Sequence, residues 1–206
     1  MSKKKPSKEW LHKQNTDQYV KQARESHYRS RAIYKLQEID QRDKLIKPNY
    51  CVVDLGSAPG SWSQYASERV GAKGRVVAVD ILPMEAVDRV LFTLGDFTDE
   101  AVEKTLMEQI GEKKADLVIS DMAPNLTGIR VTDQARSIGL AEIVYDFCQQ
   151  ALKPGGNLLI KLFEGAGTSE YRQLLKEGFG KVMTRKPGAS RDKSREFYIL
   201  ALSYRL

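Results

Sequence analysis

Four short apolar runs that lead into aspartates dominate this 206-residue chain and restrict what it can fold into. Residues 50–54 end at Asp54, residues 74–80 at Asp80 and residues 115–121 at Asp121, while residues 90–94 run into Gly95-Asp96. Stretches of helical pattern fall between and after them, at 61–70, 100–110 and 133–152. The turn Lys153-Pro-Gly-Gly156 then leads to an apolar run at 157–161, a helix at 170–176 and β-rich runs at 180–185 and 196–202. β-branched runs alternating with helices predict a mostly parallel sheet covered on both faces, a Rossmann-like α/β fold. Ligands bind such sheets at the carboxyl ends of the strands, near the topological switch point. The four aspartates stand at those ends.

Upstream, Tyr28, Ala32, Leu36 and Ile39 recur at spacings of three and four, which predicts helix over residues 17–40, closed by a linker holding Pro48 and Asn49. The lysine-rich residues 1–16 carry no such pattern and read as a disordered basic arm, leaving residues 17–206 as a single catalytic domain. The net charge of +6 is confined to the first 34 residues. Lys3, Lys4, Lys5, Lys8, Lys13, Lys21, Arg24, Arg29 and Arg31 face only Glu9, Asp17 and Glu25 there, and the remainder of the chain is neutral. A basic arm on a neutral body predicts a polyanionic partner. Tyr19, Tyr28 and Tyr34, set among those charges, suit stacking on unpaired bases or the apolar side of a docking helix. A second basic cluster, residues 185–195, is expected to share one polyanion-binding face with the arm.

Several classes drop out. No apolar run approaches the roughly 18–20 residues of a membrane span, and the charged N-terminus has no apolar stretch behind it, so the reading is cytoplasmic. Cys51 and Cys148 sit in apolar stretches, outside any CxxC pair, and read as buried thiols. His12 and His27 have no metal-ligand spacing, so no metal site is expected and the chemistry must proceed without a histidine base.

The first run enters Asp54-Leu-Gly56-Ser-Ala-Pro59-Gly60-Ser-Trp62. Gly56 and Gly60 allow the backbone close to a ligand. The motif is not G-x-G-x-x-G, and Pro59 removes an N–H that a pyrophosphate cradle would use. A ligand without phosphates fits better, such as S-adenosylmethionine, a nucleoside joined to an amino acid. Asp80 is placed to hold ribose hydroxyls, Asp96 to accept from an adenine amino group, and Trp62 to line the pocket on its methionine or catalytic side. Asp54, Gly56, Gly60, Trp62, Asp80, Asp96 and Asp121 are therefore the expected cofactor residues.

Two lysines occupy unusual places. Lys161 ends an apolar strand, and Lys35 lies close to a helix's apolar face; snorkelling explains either one alone. Together with Asp121, in Asp121-Met-Ala-Pro124-Asn125, and Glu196, which opens the last strand, they form a set that resembles the Lys-Asp-Lys-Glu tetrad of the FtsJ/RrmJ family of RNA ribose 2′-O-methyltransferases. The loop from Asp54 to Ser63 resembles that family's cofactor loop, and the similarity runs from about Asp17 to the C-terminus. Motif wording and length are most similar to bacterial members that methylate a uridine of large-subunit (23S) ribosomal RNA. The resemblance implies S-adenosylmethionine as cofactor and Lys35, Asp121, Lys161 and Glu196 as the catalytic residues. Lys161 would be central, as a base or as a charged group steering the ribose oxygen. The implied partner is ribosomal RNA, within the large subunit, and no feature calls for a protein partner.

Other chemistries fit less well. Asp121-Met-Ala-Pro124 does not match the Asn/Asp-Pro-Pro-aromatic pattern of amino-group methylation, and neither cysteine stands where a carbon-5 nucleophile belongs. Transfer RNA is the alternative substrate, and a non-catalytic RNA-binding ribosome-assembly factor the alternative class. A nicotinamide dehydrogenase would need a different phosphate loop.

Overall fold

The computed structural model describes residues 17–124, 127–190 and 194–205. The arm expected over residues 1–16 lies outside them. Among the described residues, β1 (Cys51–Leu55), β2 (Arg75–Asp80), β3 (Val90–Leu94), β4 (Ala115–Ser120), β5 (Leu152–Phe163), β6 (Phe179–Arg185) and β7 (Glu196–Tyr204) form one sheet in the order β3-β2-β1-β4-β5-β7-β6. β1 to β5 run parallel, while β7 lies antiparallel between β5 and β6. The runs of β1, β2 and β4 are buried on both faces, as parallel strands are, whereas β3 at the sheet edge leaves Leu91 and Leu94 exposed. Val52, Leu117, Ile119 and Leu159 face one layer; Val53, Val118, Leu158 and Ile160 face the other.

Helices α1 (Gln18–Glu25), α2 (Ile33–Asp43) and α3 (Ser61–Val70) cover the first face with Ala23, Ile33, Leu36, Ile39, Trp62 and Ala66. Helices α4 (Glu100–Ile110), α5 (Arg130–Ala151) and α6 (Thr168–Gly178) cover the second with Leu106, Ile110, Val144, Cys148, Tyr171 and Leu175. Cys51 and Cys148 are both buried and free. No helix among the described residues is long and apolar enough to cross a membrane.

Two features of this topology position the site. The chain leaves β1 toward β2 and β3, then returns to lay β4 on the other side of β1. The crevice at that reversal opens above the carboxyl ends of β1, β2, β3 and β4. The antiparallel register of β5 with β7 sets Lys161 opposite Tyr198 and Phe163 opposite Glu196. Directly opposed residues share a sheet face, so the end of β5 and the start of β7 offer their side chains together.

Some boundaries differ from the expected ones, each for a local reason. The helix expected over 17–40 is two helices. Tyr28 N–H returns to the Ala23 carbonyl at 2.8 Å, and His27 takes a left-handed φ of 58°. α2 then runs on to Asp43 and ends at Lys44, also left-handed. Its Asp40, 1% exposed, accepts from Ile46 N–H and the Tyr65 hydroxyl, both at 2.7 Å. α5 begins at Arg130, three residues before the expected Asp133, because the Asp133 carboxylate gathers the N–H groups of Thr127 and Gly128 onto the helix's first turn. The expected turn at 153–156 is an irregularity inside β5. The pairing partner steps from Leu152, opposite Ala115, to Asn157, opposite Leu117, and the residues between form the bulge. Pro154 lacks an N–H for the ladder, and Gly155 takes a φ of 79°.

Candidate active site

The crevice at the switch point is a cleft of about 590 Å³. Gly56 and Ala58 form one wall, and Asp80, Ile81 and Leu82 another. Gly95, Asp96, Phe97 and Thr98 enter from β3, and Asp121 to Pro124 from β4. Of the expected cofactor residues, Gly56, Asp80, Asp96 and Asp121 line it. Asp80 organises both of its walls: one carboxylate oxygen accepts from Ala58 N–H and the other from Leu82 N–H, each at 2.8 Å. Asp96 accepts from the N–H and hydroxyl of Thr98 at 3.0 and 2.8 Å. Gly56 has φ 77°, and a Cβ there would collide with Met122. A side chain at position 56 would therefore close the approach between the β1 and β4 loops.

Asp54, Gly60 and Trp62 lie behind the lining. The Trp62 indole N–H donates to the Ala32 carbonyl at 2.8 Å, and its ring packs 5.8 Å from that of Tyr198. Trp62 thus packs between Ala32 and Tyr198 and is not among the residues that line the cleft. Gly60 has φ 104°, with Arg29 and Met84 filling the space a Cβ would take. Asp54 is 1% exposed and accepts from the Ser63 hydroxyl at 2.6 Å.

Burial pushes the Asp54 carboxyl up to about 7; the Ser63 hydrogen bond opposes the shift, and Asp121 and Asp80 add to it. The folded state therefore keeps a proton that the unfolded chain gives up near the ordinary value of 3.8. Below that value the shift has no effect on stability; as pH rises from about 4 to about 7, stability falls, then levels off. The loss is on the order of a few kcal/mol. Asp54→Asn cannot ionise, so the difference in Tm between the variant and the parent should move in the variant's favour between pH 4 and pH 8. Thermal melts at both ends of that range check this, and a pH-independent difference contradicts it.

At the mouth of the cleft Asp121 joins a second cluster. Lys161, 8% exposed in its side chain, pairs with the Asp121 carboxylate at 3.1 Å and also donates to the Asp121 carbonyl. The Tyr198 hydroxyl donates to the same Asp121 carboxylate oxygen at 2.6 Å. Lys35, in the first turn of α2, forms an ion pair with Glu196 at 2.6 Å and lies 5.9 Å from the Tyr198 ring centroid. The four residues expected to act together are thus assembled as two ion pairs with Tyr198 between them. Sequence reading passed over Tyr198; its signal was the Glu196-Phe-Tyr198 alternation, which turns residues 196 and 198 to one face. Burial, with Asp121 beside it, holds the Tyr198 phenol well above its ordinary range, so it stays a donor. A smaller cleft of about 250 Å³ opens beside this cluster, lined by Arg31, Ala32, Lys35, Ser194 and Glu196.

Part of the positive charge read as facing a polyanion is engaged within the fold. Arg31 pairs with Asp17 and donates to the Ala189 carbonyl. Arg185 forms a two-pronged pair with Asp43, at 2.7 and 2.6 Å. Arg29 donates to three backbone carbonyls. Arg191 and Lys193 lie outside the described residues.

A parallel sheet closed by an antiparallel β7, with an acid-lined cleft at its switch point and a Lys/Asp/Glu cluster at the mouth, defines an α/β methyltransferase. The family model of FtsJ-like methyltransferases matches residues 28–204, and the chain belongs to that family. It is 50% identical over its whole length, and the relative's, to the ribosomal RNA large subunit methyltransferase E of Legionella pneumophila strain Corby. It is 52% identical to the protein of that name from Alkalilimnicola ehrlichii, over 97% of this chain and 96% of the relative. A crystal structure of a Plasmodium falciparum protein described as a ribosomal RNA methyltransferase superposes with a TM-score of 0.78 at 31% identity, over 86% of this chain and 98% of that one.

Proposed function

We propose that this methyltransferase moves a methyl group from S-adenosylmethionine to the ribose 2′-hydroxyl of a uridine in large-subunit ribosomal RNA, in the cytoplasm, as a step in ribosome maturation. The observation that carries the reading is the position of Asp121. It lines the cleft and also binds Lys161 and Tyr198, so one residue belongs to the donor site and to the acceptor cluster.

The cleft's own residues suit the donor. Its walls carry aspartates, which disfavour phosphates, while Pro59 leaves no phosphate cradle in the loop. An ionised carboxylate has about four acceptor sites, so Asp80 retains lone pairs for two ribose hydroxyls after serving Ala58 and Leu82. Ile81 and Leu82, 65% and 59% exposed, are large apolar side chains on the cleft wall that a nucleoside would cover. When bound, S-adenosylmethionine supplies a methyl group on a sulfonium, an electrophile that needs no further activation.

The protein's remaining task is to hold a weakly nucleophilic hydroxyl in line and manage one proton. Alignment of this kind contributes roughly 7–11 kcal/mol in favourable cases. Lys161, fixed by Asp121, meets the acceptor oxygen; Lys35 and Glu196 orient the ribose from the other side. The substrate named for the relatives, large-subunit ribosomal RNA, supports the choice of RNA. The test offers methyl-labelled S-adenosylmethionine with ribosomal subunits, free ribosomal RNA and transfer RNA from cells lacking the enzyme. Label in large-subunit RNA is the expected result. Label in transfer RNA would keep the chemistry and overturn the substrate, and no label with intact cofactor binding would favour an assembly factor.

A further inference from the structure

Arg29 lies in the link between α1 and α2, and its guanidinium reaches the back of the cleft. Nη1 donates to the Pro59 carbonyl at 3.1 Å and to the Glu85 carbonyl at 2.7 Å, and Nη2 donates to the Ala86 carbonyl at 2.8 Å. Pro59 follows Ala58, which lines one cleft wall, and Glu85 and Ala86 belong to the segment that continues from Ile81 and Leu82 on the other, so all three stand behind the lining. A single nitrogen thus bridges the segments that back the two walls. We infer that Arg29 is a positioning residue for the methyl donor, fixing from behind the spacing of the walls between which the donor sits. The inference rests on the proposal that this cleft takes S-adenosylmethionine.

The surroundings fit a built strut rather than a surface side chain at rest. Arg29 N–H donates to Gln64 Oε1 at 3.1 Å, and the neighbouring Ser30 hydroxyl shares a hydrogen bond with the Ser61 hydroxyl at 2.8 Å. Both contacts anchor the link to α3, which starts immediately after the cleft loop. Gly60 leaves room for the arginine: a Cβ there would stand 2.8 Å from Arg29 Nη1 and 2.7 Å from Met84 Sδ. The wall from residue 81 to 89 is tied at its start by Leu82 N–H to Asp80, and near its end by the Ser67 hydroxyl to the Asp88 carbonyl. Arg29 holds the middle. A planar fork serves several fixed acceptors at once, whereas a lysine ammonium on a flexible stem does not reproduce that geometry. Arg29 touches neither Lys161 nor the acceptor cluster in any of these bonds, so its loss should change donor binding and spare turnover.

The test compares the full-length parent with Arg29→Ala and Arg29→Lys by calorimetric titration of S-adenosylmethionine and by steady-state methylation of undermethylated large subunits. Arg29→Ala should raise both the Kd and the KM for S-adenosylmethionine by at least about 10-fold while kcat at saturating donor stays within about 2-fold. Low-millimolar guanidinium should restore donor affinity to Arg29→Ala and leave the parent unchanged, a rescue that a general folding defect would not show. Arg29→Lys should retain only part of the affinity, and it carries the same test if the alanine variant fails to fold. Unchanged donor affinity in a folded variant, or a fall in kcat with KM unchanged, overturns the inference. A parent that binds no S-adenosylmethionine overturns the cleft proposal itself, and this inference with it.

Discussion

Lys161→Ala is expected to lower methyl transfer by at least about 10²-fold while leaving donor affinity close to that of the parent. Both contacts of Lys161 are to Asp121, on the lining of the cleft, and Lys161 itself is not part of that lining. Removing it leaves Asp121 with the Tyr198 hydroxyl and an empty place where the acceptor oxygen would be held. Single-turnover rates with donor affinity measured in parallel check this, and near-parental turnover contradicts the assignment. Lys161→Arg separates the two roles raised by the sequence. A guanidinium steers an oxygen but cannot take up a proton. Turnover well above that of Lys161→Ala would assign steering, and turnover equal to it would assign the base.

Asp80→Ala should produce the largest loss of donor affinity, about 10²-fold in Kd. Charge-assisted hydrogen bonds contribute roughly 1.5–3 kcal/mol each, and Asp80 already makes two, one to each cleft wall. The alanine leaves Ala58 and Leu82 N–H groups without that acceptor and removes the acceptor proposed for the donor's ribose. Asp80→Asn keeps the shape but only one acceptor oxygen, so its affinity should fall between the two. The signature is a rise in Kd with kcat at saturating donor changed only a few-fold. Unaltered affinity in a folded Asp80→Ala protein would remove Asp80 from the donor site.

The sheet was legible because its central strands are buried on both faces and so must be apolar throughout; β3, α3 and α4 fall on the expected residues, and β1 is displaced by one. The candidate site was legible for a related reason. A charged residue near the carboxyl end of an apolar strand has few places to go in this fold: Asp80 ends β2, Asp121 directly follows β4, and Lys161, expected to end its strand, stands two residues before the end of β5. What escaped depended on contacts far apart in sequence. Residues 17–40 contain no glycine or proline to mark the break at His27, which instead accompanies the docking of Arg29 and Ser30 on α3. Trp62 has the composition of a pocket residue, but its indole points to Ala32. Arg29, Arg31 and Arg185 counted as free charge, because nothing local says that an arginine's partner is a carbonyl or carboxylate 14 to 158 residues away. Tyr198 was hidden by its ordinary appearance in an apolar strand, and only the register against Lys161 gives it a role.

The central claim is that the methyl group arrives on a ribose oxygen, and alkaline hydrolysis of the labelled RNA tests it most directly. Alkaline cleavage of RNA uses each 2′-hydroxyl to attack the adjacent phosphodiester, so a 2′-O-methyl group blocks the cut at its own nucleotide. After methylation of large subunits from cells lacking the enzyme, the account predicts label in an alkali-resistant dinucleotide that digests further to 2′-O-methyluridine. Label released in ordinary mononucleotides would place the methyl group on a base and contradict the account.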